Sequence, residues 1–488
     1  MTTLRFYNTP HRTIEPFSSQ SGTRVTLYTC GPTVYDYPTI GNWASYIYWD
    51  ILVRTLTANN FTVERVMNIT DVGHLSSDED EGEDKLEKGA RRENKTAWEV
   101  AEFYTEDFLR GMQRLNLIPP THITKATEYI PEQLELVRTL HTKGYTYQID
   151  DGIYFDTSKF AAYAQFAGLD VGAQKAGARV AFNQQKRNLS DFALWKFTPT
   201  GHTRDMQWET PRDILDSETT TPQMGFPGWH LECSAMAMSI LGPTIDIHTG
   251  GIDHIRVHHT NEIAQSEAAS GQRFSNLWLH ANHLKSNGTK ISKSLGNGYT
   301  LDDLQEKGYT PDDLRMFVIQ AHYQSEGNFT FKNLQAASQR LHNWRRAAAL
   351  RHQIHHTVDA PSTHTPSYAV SQALLEVLND NLDTPGALAF IDTVIGDVLA
   401  APPSRIDRDA LTGFLEHIDS LLGLRLIEST PDISDELKQQ IIERTRAREN
   451  KDWQRSDELR DSLLAEHIVL RDTPTHVLWE YSRPTHTS

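Results

Sequence analysis

A strand–helix–strand order near the N-terminus constrains the fold more than any other feature of this sequence. Arg24–Cys30 alternates as a strand and runs into a Gly-Pro pair, and Trp43–Leu56 is apolar at helical spacing. Phe61–Ile69 then provides a second strand. This order predicts the opening of a parallel α/β sheet, in which ligands bind at the carboxyl ends of the strands.

The loop after the first strand, residues 33–42, leads directly into the predicted helix N-terminus, a position that suits a phosphate group. It contains no G-x-G-x-x-G pattern, so a dinucleotide site is disfavoured. The segment from about Pro119 to Pro222 changes character and indicates an insertion, because Thr244–His248 resumes a strand and Asn261–Ala269 a helix. Strands become rare beyond Leu301, which predicts an α-helical second half.

Composition narrows the class of protein. The chain has 488 residues, enough for about three domains, and 38% of them are hydrophobic, so several cores can form. No run approaches the ~18 apolar residues of a membrane span and the N-terminus lacks the apolar core of a signal peptide, so we expect a cytoplasmic protein without membrane contact. The net charge of −17 disfavours unspecific coating of nucleic acid, and any such contact must use local basic patches. The acidic segment Ser76–Glu87 lacks regular ligand spacing, which favours a solvated loop over a metal site.

The two cysteines, Cys30 and Cys233, cannot staple a protein of this size, and a cytosolic chain keeps them reduced. They could be two unrelated buried thiols or two members of one soft-metal site. Their positions alone leave both interpretations open.

Lys290 and Lys293 lie three apart in a loop rich in glycine and serine, GTKISKSLGN. Such lysines can neutralise a leaving pyrophosphate, although an ordinary basic loop has the same pattern. The run K-I-S-K-S resembles the K-M-S-K-S signature of class I aminoacyl-tRNA synthetases. Pro38–Asn42 (PTIGN) falls where that class carries its H-I-G-H motif, between the first strand and the first helix.

Seven segments, in order through nearly the whole chain, resemble the cysteinyl-tRNA synthetase family. They are TCGPTVYDYPTIGN, NITDVG, GWHLECSAMA, DIHTGGIDHIRVHHTNEIAQSEA, KISKSLGN, AHYQS and the tail over residues 444–479. The resemblance implies a Rossmann-like parallel sheet with a connective insertion, then a helical bundle and a small anticodon-binding domain. The implied segments are 1–118 and 223–282 for the two catalytic halves, 119–222 for the insertion, 283–338 for the lysine loop and stem-contact region, 339–430 for the bundle and 431–488 for the anticodon-binding domain.

The same resemblance implies one Zn²⁺ per chain. Its ligands, carried over by motif, are Cys30, Cys233, His258 and Glu262. Elementary geometry agrees, since His258 and Glu262 lie four apart and share one face of a helix. A mixed sulfur, nitrogen and oxygen donor set suits zinc, and we leave the adjacent His259 as a structural residue without an assigned role.

The implied reaction has two steps. The carboxylate of L-cysteine attacks the α-phosphate of ATP, Mg²⁺-bound pyrophosphate leaves, and the adenylate acylates the terminal adenosine of tRNA-Cys. Lys290 and Lys293 would stabilise the leaving group. A zinc with an open position would select the substrate thiolate over serine, which a pocket that only measures size rejects by no more than about 10²-fold. Such a site needs no editing domain.

Thr39 departs from the class motif, which has a histidine at this position, while Gly41 is kept and Asn42 replaces the second histidine. A hydroxyl donates one hydrogen bond but carries no imidazolium charge, and losing such a donor typically costs ~2.7–4 kcal/mol. We hypothesise that a nearby group such as His74 compensates.

Three further residues match the family's substrate pocket: Thr70, Trp229 and Asp253. Trp229 could equally be a core residue. Asp253 follows two glycines, Gly250 and Gly251, whose lack of side chains would let a nucleotide or amino acid approach the backbone.

Two arginine clusters are candidates for tRNA contacts, one with Arg345 and Arg346 beside Arg340 and Arg351, the other with Arg446 and Arg448 beside Arg444 and Lys451. Each could instead be a solvated helix face, but on so acidic a chain we favour phosphate contacts. Trp453 and Trp479 could stack on anticodon bases, although we expect them in the core of a small terminal domain.

The partners we expect are tRNA-Cys, ATP and L-cysteine, with the chain acting as a monomer. Two alternatives stay open. One is a cysteine ligase of the mycothiol type, which shares the zinc site but usually lacks a tail such as residues 444–479. The other is a degenerate paralogue that binds tRNA without catalysis, favoured only by Thr39.

Overall fold

The computed structural model describes residues 3–73, 84–163, 165–166, 183–199, 201–216, 222–292, 295–353, 368–401, 406–473 and 477–482. The predicted strand–helix–strand unit is present. The elements as far as the insertion are β1 (Arg5–Asn8), β2 (Thr13–Pro16), β3 (Arg24–Thr29), α1 (Ile40–Ala58), β4 (Thr62–Ile69), α2 (Lys85–Glu93), α3 (Ala97–Arg114) and β5 (His122–Lys125).

The elements of the predicted insertion and of the segment after it follow. They are α4 (Ile130–Thr142), β6 (Thr146–Ile149), β7 (Gly152–Phe155), β8 (Phe192–Phe197), β9 (Trp208–Glu209), β10 (Met224–Pro227), α5 (Trp229–Leu241), β11 (Ile245–Gly251), α6 (His258–Ser270) and β12 (Ser275–Ala281). Strands β6 to β10 form an antiparallel sheet of order β6-β7-β8-β10-β9. β10 pairs with β8, so the insertion's sheet extends past the predicted boundary at residue 222.

The central sheet has five parallel strands in the order β12-β11-β3-β4-β5. Helices cover it, and β3 is therefore buried over five consecutive residues, Val25–Thr29, as parallel strands usually are. Cys30 follows the end of β3, and its backbone N–H donates to Thr249 O on the neighbouring β11. The carboxyl ends of β3, β4 and β11 therefore meet at one edge of the sheet, which confirms the predicted Rossmann-like arrangement.

The remainder is mainly helical, as predicted. Its elements are β13 (Leu284–Ser286), β14 (Thr289–Lys290), α7 (Leu301–Glu306), α8 (Pro311–Ile319), β15 (Gly327–Phe329), α9 (Phe331–Ala349), α10 (Tyr368–Leu378), α11 (Thr384–Ala400), α12 (Arg408–Leu422), α13 (Asp435–Glu449), α14 (Trp453–Ala465), β16 (Ile468–Asp472) and β17 (Val477–Tyr481). None of these or the earlier described helices combines the length and apolar character that crossing a bilayer requires.

A buried ion-pair cluster joins α1 to the helical half. Asp50 on α1 accepts hydrogen bonds from Arg54, at 2.6 Å, and from Arg315 on α8. Arg315 also donates to the carbonyl oxygens of Leu115 and Leu422, and Asp50 and Arg315 are both completely buried. Because each charge has a partner, this cluster fixes α8 and the C-terminal end of α12 against α1.

The small C-terminal unit has its own core. Trp479 on β17 is 1% exposed and packs with Ile441 and Leu463, which confirms that it is a core residue. Trp453 is 57% exposed, so the expectation that it lies in this core is wrong. It is the first residue of α14, directly after the capping Asp452, and this position turns its ring away from the packed face.

Candidate active site and metal centre

One cavity of about 410 Å³ opens at the carboxyl ends of the parallel strands. The structure brings ten of the predicted site residues to its walls: Cys30, Thr39, Gly41, Asn42, Thr70, Trp229, Cys233, Asp253, His258 and Lys290. They come from segments far apart in sequence, so only the fold assembles them. Glu262 lies behind this wall and is completely buried.

Four of the predicted residues form a candidate metal centre. The ligand atoms of Cys30, Cys233, His258 and Glu262 all lie within 4.8 Å of one another, and all four side chains are buried. Such a spacing is compatible with one ion held by bonds of ~2.0–2.3 Å. Glu262 Oε1 accepts no well-directed hydrogen bond among the described residues, although His258 Nε2 lies 2.7 Å away. A buried carboxylate oxygen and an imidazole nitrogen aimed at the same space, beside two thiols, fit zinc.

Two imidazoles hold Glu262 as a carboxylate. Its Oε2 lies 2.8 Å from His248 Nε2 and its Oε1 lies 2.7 Å from His258 Nε2. Burial raises the pKa of Glu262, but His248 and His258 lower it further, to well below its ordinary value. For His258, burial lowers the pKa while Glu262 and Cys233 raise it, with a net rise to about 10.

The pKa values of the two thiols are shifted in opposite directions. Burial and the neighbouring Cys233 raise the pKa of Cys30 well above its ordinary value. Burial also raises the pKa of Cys233, but the hydrogen bond from Cys30 and the nearby His258 outweigh it, and the net shift is downward. Before a metal binds, Cys233 is therefore the readier thiolate, and Cys30 is its hydrogen-bond donor.

The sequence interpretation assigned no role to His259 and did not consider His248 and His280, although all three surround this centre. His259 Nε2 lies 3.3 Å from Cys30 Sγ, its Nδ1 lies 2.7 Å from His280 Nε2, and His280 Nδ1 lies 2.7 Å from Thr9 Oγ1. Cys30, His248, His259 and Glu262 also form a second possible ligand group. The strand segments IDIHTG and LWLHAN carry one histidine each, and nothing within either segment indicates that the two lie near the same centre.

Trp229 contacts the candidate metal centre through His258. Its ring stacks on the His258 imidazole with 4.3 Å between centroids and 26° between planes. Gly250 makes room for two imidazoles, since a Cβ there would lie 2.6 Å from His259 Cε1 and 2.8 Å from His254 Nδ1. Gly250 and Gly251 also line the cavity, and the approach of a ligand to their backbone stays a prediction.

The N-terminus of α1 meets the lysine loop. Asn42 Oδ1 accepts hydrogen bonds from both the backbone N–H and the hydroxyl of Thr39, each at 2.9 Å. The Thr39 hydroxyl is thereby engaged, and the Asn42 side chain must direct its NH₂ group elsewhere. A Cβ on Gly41 would lie 3.3 Å from Ile291 Cδ1, so the glycine allows the loop to pack on the helix end.

Lys293 and His74 lie outside the described residues, as does most of the acidic segment, residues 76–83. At the described end of that segment the expected solvated loop is wrong: Asp84 is buried, accepts hydrogen bonds from Leu86 N and Glu87 N, and caps helix α2. Lys290 is exposed at the rim of the cavity. Asn297 bridges the loop, accepting from Ser292 N at 2.8 Å and donating to Lys290 O at 3.1 Å.

The arginines of α9 are bound within the protein. Arg345 donates to Asp312 and Ser429, Arg346 to Glu480, and Arg340 to Asp392. Arg351 is buried and donates to Thr430. On α13 Arg444 is buried against Asp472, whereas Arg446 and Arg448 are exposed. The tRNA contacts predicted for Arg345 and Arg346 stay a prediction, with both guanidinium groups already engaged.

Comparisons with known proteins define the class. The family model described as tRNA synthetases class I (C) catalytic domain matches residues 16–339, and the model described as Cysteinyl-tRNA ligase anticodon binding domain matches residues 430–479. A solved Mycobacterium tuberculosis methionyl-tRNA synthetase in complex with methionyl-adenylate aligns with a TM-score of 0.57 at 15% identity, covering 83% of this chain and 93% of that one. That likeness shows the fold alone. Fold, site and family model together define a class I aminoacyl-tRNA synthetase.

Sequence relatives define the family within the class. The chain is 42% identical to a cysteine–tRNA ligase of Burkholderia lata over 96% of this chain and 95% of the relative. It is 39% identical to that of Chlorobium chlorochromatii and 36% identical to that of Treponema denticola, each over 98% of this chain and 99% of the relative. The chain belongs to the cysteine–tRNA ligase family.

Proposed function

We propose that this protein ligates L-cysteine to tRNA-Cys in an ATP-dependent reaction that passes through cysteinyl-adenylate. The observation that carries the proposal is one cavity with two chemically different ends. Its floor holds Cys30, Cys233 and His258 in front of Glu262, and its rim holds Thr39, Asn42 and Lys290. A thiol-sensing end and a phosphate-binding end in one cavity suit a reaction that joins cysteine to ATP.

The donor set at the floor fits zinc, held by Cys30, Cys233, His258 and Glu262. When bound, zinc supplies a soft acceptor for the cysteine thiolate, which a serine hydroxyl imitates poorly. The protein's own residues shape this end: Trp229 fixes the His258 ring by stacking on it, and His248 holds Glu262 in orientation. Thr70 and Asp253 line the same cavity and would orient the polar groups of the amino acid.

At the other end the substrate carboxylate would attack the α-phosphorus of ATP, which enters with Mg²⁺, and pyrophosphate would leave. The positive end of the α1 dipole and the ammonium of Lys290 would offset the charge that develops on the leaving group. We assign Lys293 the same role from its motif. Positioning and electrostatics would therefore supply most of the catalysis, without a covalent enzyme intermediate.

Transfer would follow, with the ribose 2′-hydroxyl of the terminal adenosine attacking the adenylate carbonyl and AMP leaving. The helical half and the C-terminal unit would hold the rest of the tRNA, within the segments 339–430 and 431–488. Arg446 on the exposed face of α13 is the best-placed phosphate contact among the predicted arginines, because Arg448, although exposed, lies 3.4 Å from Asp472. We propose that the chain acts as a monomer.

The test is cysteine-dependent charging of a tRNA-Cys transcript by the zinc-loaded protein, with ATP–pyrophosphate exchange measured alongside. We expect both activities with cysteine and neither with serine at equal concentration. Exchange without charging would contradict the tRNA acceptor and indicate a small amino-sugar acceptor instead. Loss of both in a folded, zinc-loaded protein would contradict the enzyme assignment and indicate a degenerate paralogue.

A further inference from the structure

A second cavity, of about 290 Å³, lies beside the first. Asn282 belongs to the walls of both, so the two spaces adjoin at the connection between β12 and β13. Asn282 is fixed there, because its Nδ2 donates to Gln324 O at 2.9 Å and its backbone N–H donates to Tyr323 O at 2.7 Å. The proposed reaction brings together three substrates. Two of them, ATP and cysteine, are assigned to the first cavity, and the third, the end of the tRNA, has no assigned place.

The β1–β2 hairpin forms the outer wall of the second cavity and is tied firmly to the central sheet. The side chain of Asn8, 1% exposed, donates to Asn276 O at 3.1 Å and accepts from Trp278 N at 3.1 Å. The N–H of Thr9 donates to Trp278 O at 3.0 Å. The hairpin is a separate two-stranded sheet that is held against strand β12 through Asn8 and Thr9.

Arg12 stands in the turn of this hairpin and lines the cavity. Its backbone is left-handed, with φ of 57°, and its N–H donates to Asn8 O at 2.8 Å. An arginine adopts such a conformation only where its surroundings stabilise it. The guanidinium is exposed, and the described part of the chain gives it no carboxylate partner, although acidic residues outnumber basic ones by 64 to 47. An exposed guanidinium on a well-held backbone, without a carboxylate partner among the described residues, is suited to a phosphate.

The other walls suit a nucleoside. Tyr7 and Phe166 contribute aromatic rings, and Phe166 is supported by Trp278 with 5.0 Å between ring centroids. Gln324 contributes an amide, and Ile252 an apolar side chain that is 36% exposed. Unpaired bases of RNA are typically bound by stacking on aromatic rings and by hydrogen bonds to polar groups. The volume is near the lower end of the ~300–1,000 Å³ of ligand pockets, which suits one nucleotide.

We propose that the second cavity binds the terminal nucleotide of the acceptor strand, with its 5′-phosphate on Arg12 and its base among Tyr7 and Phe166. This inference rests on the proposed function, since it assigns a place to the third substrate of that reaction. The terminal ribose then lies at the boundary marked by Asn282, next to the cavity in which the adenylate forms.

Binding of two tRNA-Cys transcripts tests the proposal, one complete and one lacking only the terminal adenosine nucleotide. Arg12→Gln should weaken binding of the complete transcript by about ten-fold, as expected for a charge-assisted hydrogen bond, and binding of the shortened one by less than about two-fold. Arg12→Lys, which keeps the charge, should recover part of the loss. Arg110→Gln, at an exposed arginine paired with Asp107 on α3, is the matched control and should change neither affinity.

Equal weakening of both transcripts would overturn the proposal, because Arg12 would then contact another part of the tRNA, and so would no weakening at all. ATP–pyrophosphate exchange should be unchanged in Arg12→Gln within about two-fold, and a larger fall would assign the cavity to ATP or cysteine instead. Failure of the proposed function would be visible in the wild-type protein, as absent charging, whereas failure of this inference is visible only in the comparison of the two transcripts.

Discussion

The cavity floor and helix α9 both collect residues that the sequence singled out, but the fold uses them differently. Cys30, Cys233, His258 and Glu262 converge from distant segments on one small volume. The arginines of α9 diverge, and each is bound by a carboxylate or hydroxyl from another segment. A set of residues that together form one metal-binding donor set predicts a site specifically. A cluster of arginines does not, because on an acidic chain arginines also form ion pairs within the protein. The predictions below test that contrast.

Removing a sulfur ligand should have the largest effect. We expect Cys30→Ser and Cys233→Ser each to lose stoichiometric zinc and at least about 10²-fold in cysteine-dependent exchange, because even the outer partners of metal sites typically contribute 10–100-fold. Metal analysis after gel filtration and exchange kinetics measure both effects. Ser239→Ala, on the same helix as Cys233 but outside the cavity, is the control. Retention of zinc and activity by both serine variants would contradict the metal centre.

Breaking the buried cluster on α1 should destabilise the protein strongly. Arg315→Met leaves the Asp50 carboxylate buried with one partner fewer, and breaking such a pair typically costs about 3–5 kcal/mol. Arg346→Met removes a more exposed pair with Glu480 and should cost about 1 kcal/mol or less. The midpoint of urea unfolding compares the two. Equal shifts would contradict the different roles of these arginines.

Zinc affinity should rise steeply with pH. The pKa of Cys30 is raised well above its ordinary value and that of His258 to about 10, so both are protonated near neutral pH and must lose a proton to bind metal. Cys233, with a lowered pKa, adds less to this requirement. Between pH 7 and 8 two displaced protons give an increase of about 100-fold. Competition with a chromophoric chelator measures it, and an affinity independent of pH would contradict the assigned ligands.

Substitutions in the two arginine clusters should differ in their effect on tRNA binding. Arg446→Gln, at an exposed position on α13, should weaken binding of tRNA-Cys a few-fold, by about one phosphate contact, with little loss of stability. Arg345→Gln should lower stability by ~1 kcal/mol or less through the lost pair with Asp312, and should leave tRNA affinity unchanged. Filter binding and urea unfolding give the two readouts. Weaker tRNA binding by Arg345→Gln, with no change in Arg446→Gln, would indicate instead that Arg345 contacts the tRNA.

Thr39→His should have the smallest effect, less than about ten-fold on the rate of activation. The Thr39 hydroxyl already donates to Asn42, and its side chain is packed, since a Cβ on Gly298 would lie 3.0 Å from Thr39 Cγ2. An imidazole there would press on the lysine loop as well as add a donor. Single-turnover formation of the adenylate measures the rate. An increase of about 10²-fold or more would show that the missing histidine is not compensated.

Much of the fold followed from local pattern. Runs of apolar residues identified β3, α1 and β4 to within a few residues, because β3 and α1 are buried along nearly their whole length and β4 along its second half. The four candidate ligands followed from motif resemblance, and the i, i+4 spacing of His258 and Glu262 supported them independently. The elements and the ligands could be predicted because each depends on residues within a short stretch of sequence.

The sequence could not predict contacts that depend on which distant segments pack against each other. His248 and His280 reach the centre because β11 and β12 pair side by side, and Arg345 meets Asp312 because α9 packs on α8. Trp453 is exposed because it begins α14 rather than facing its core. These outcomes arise from tertiary packing, and no spacing within a single segment records them.

The central claim is that the cavity floor holds a metal able to recognise the substrate thiol. Cobalt-substituted protein tests it directly, because the absorption of a thiolate–cobalt centre reports each added sulfur ligand. We expect L-cysteine to change the charge-transfer band in a saturable manner and L-serine at equal concentration to leave it unchanged. Equal responses to both amino acids, or no response to cysteine from a protein that binds one cobalt ion, would contradict the account.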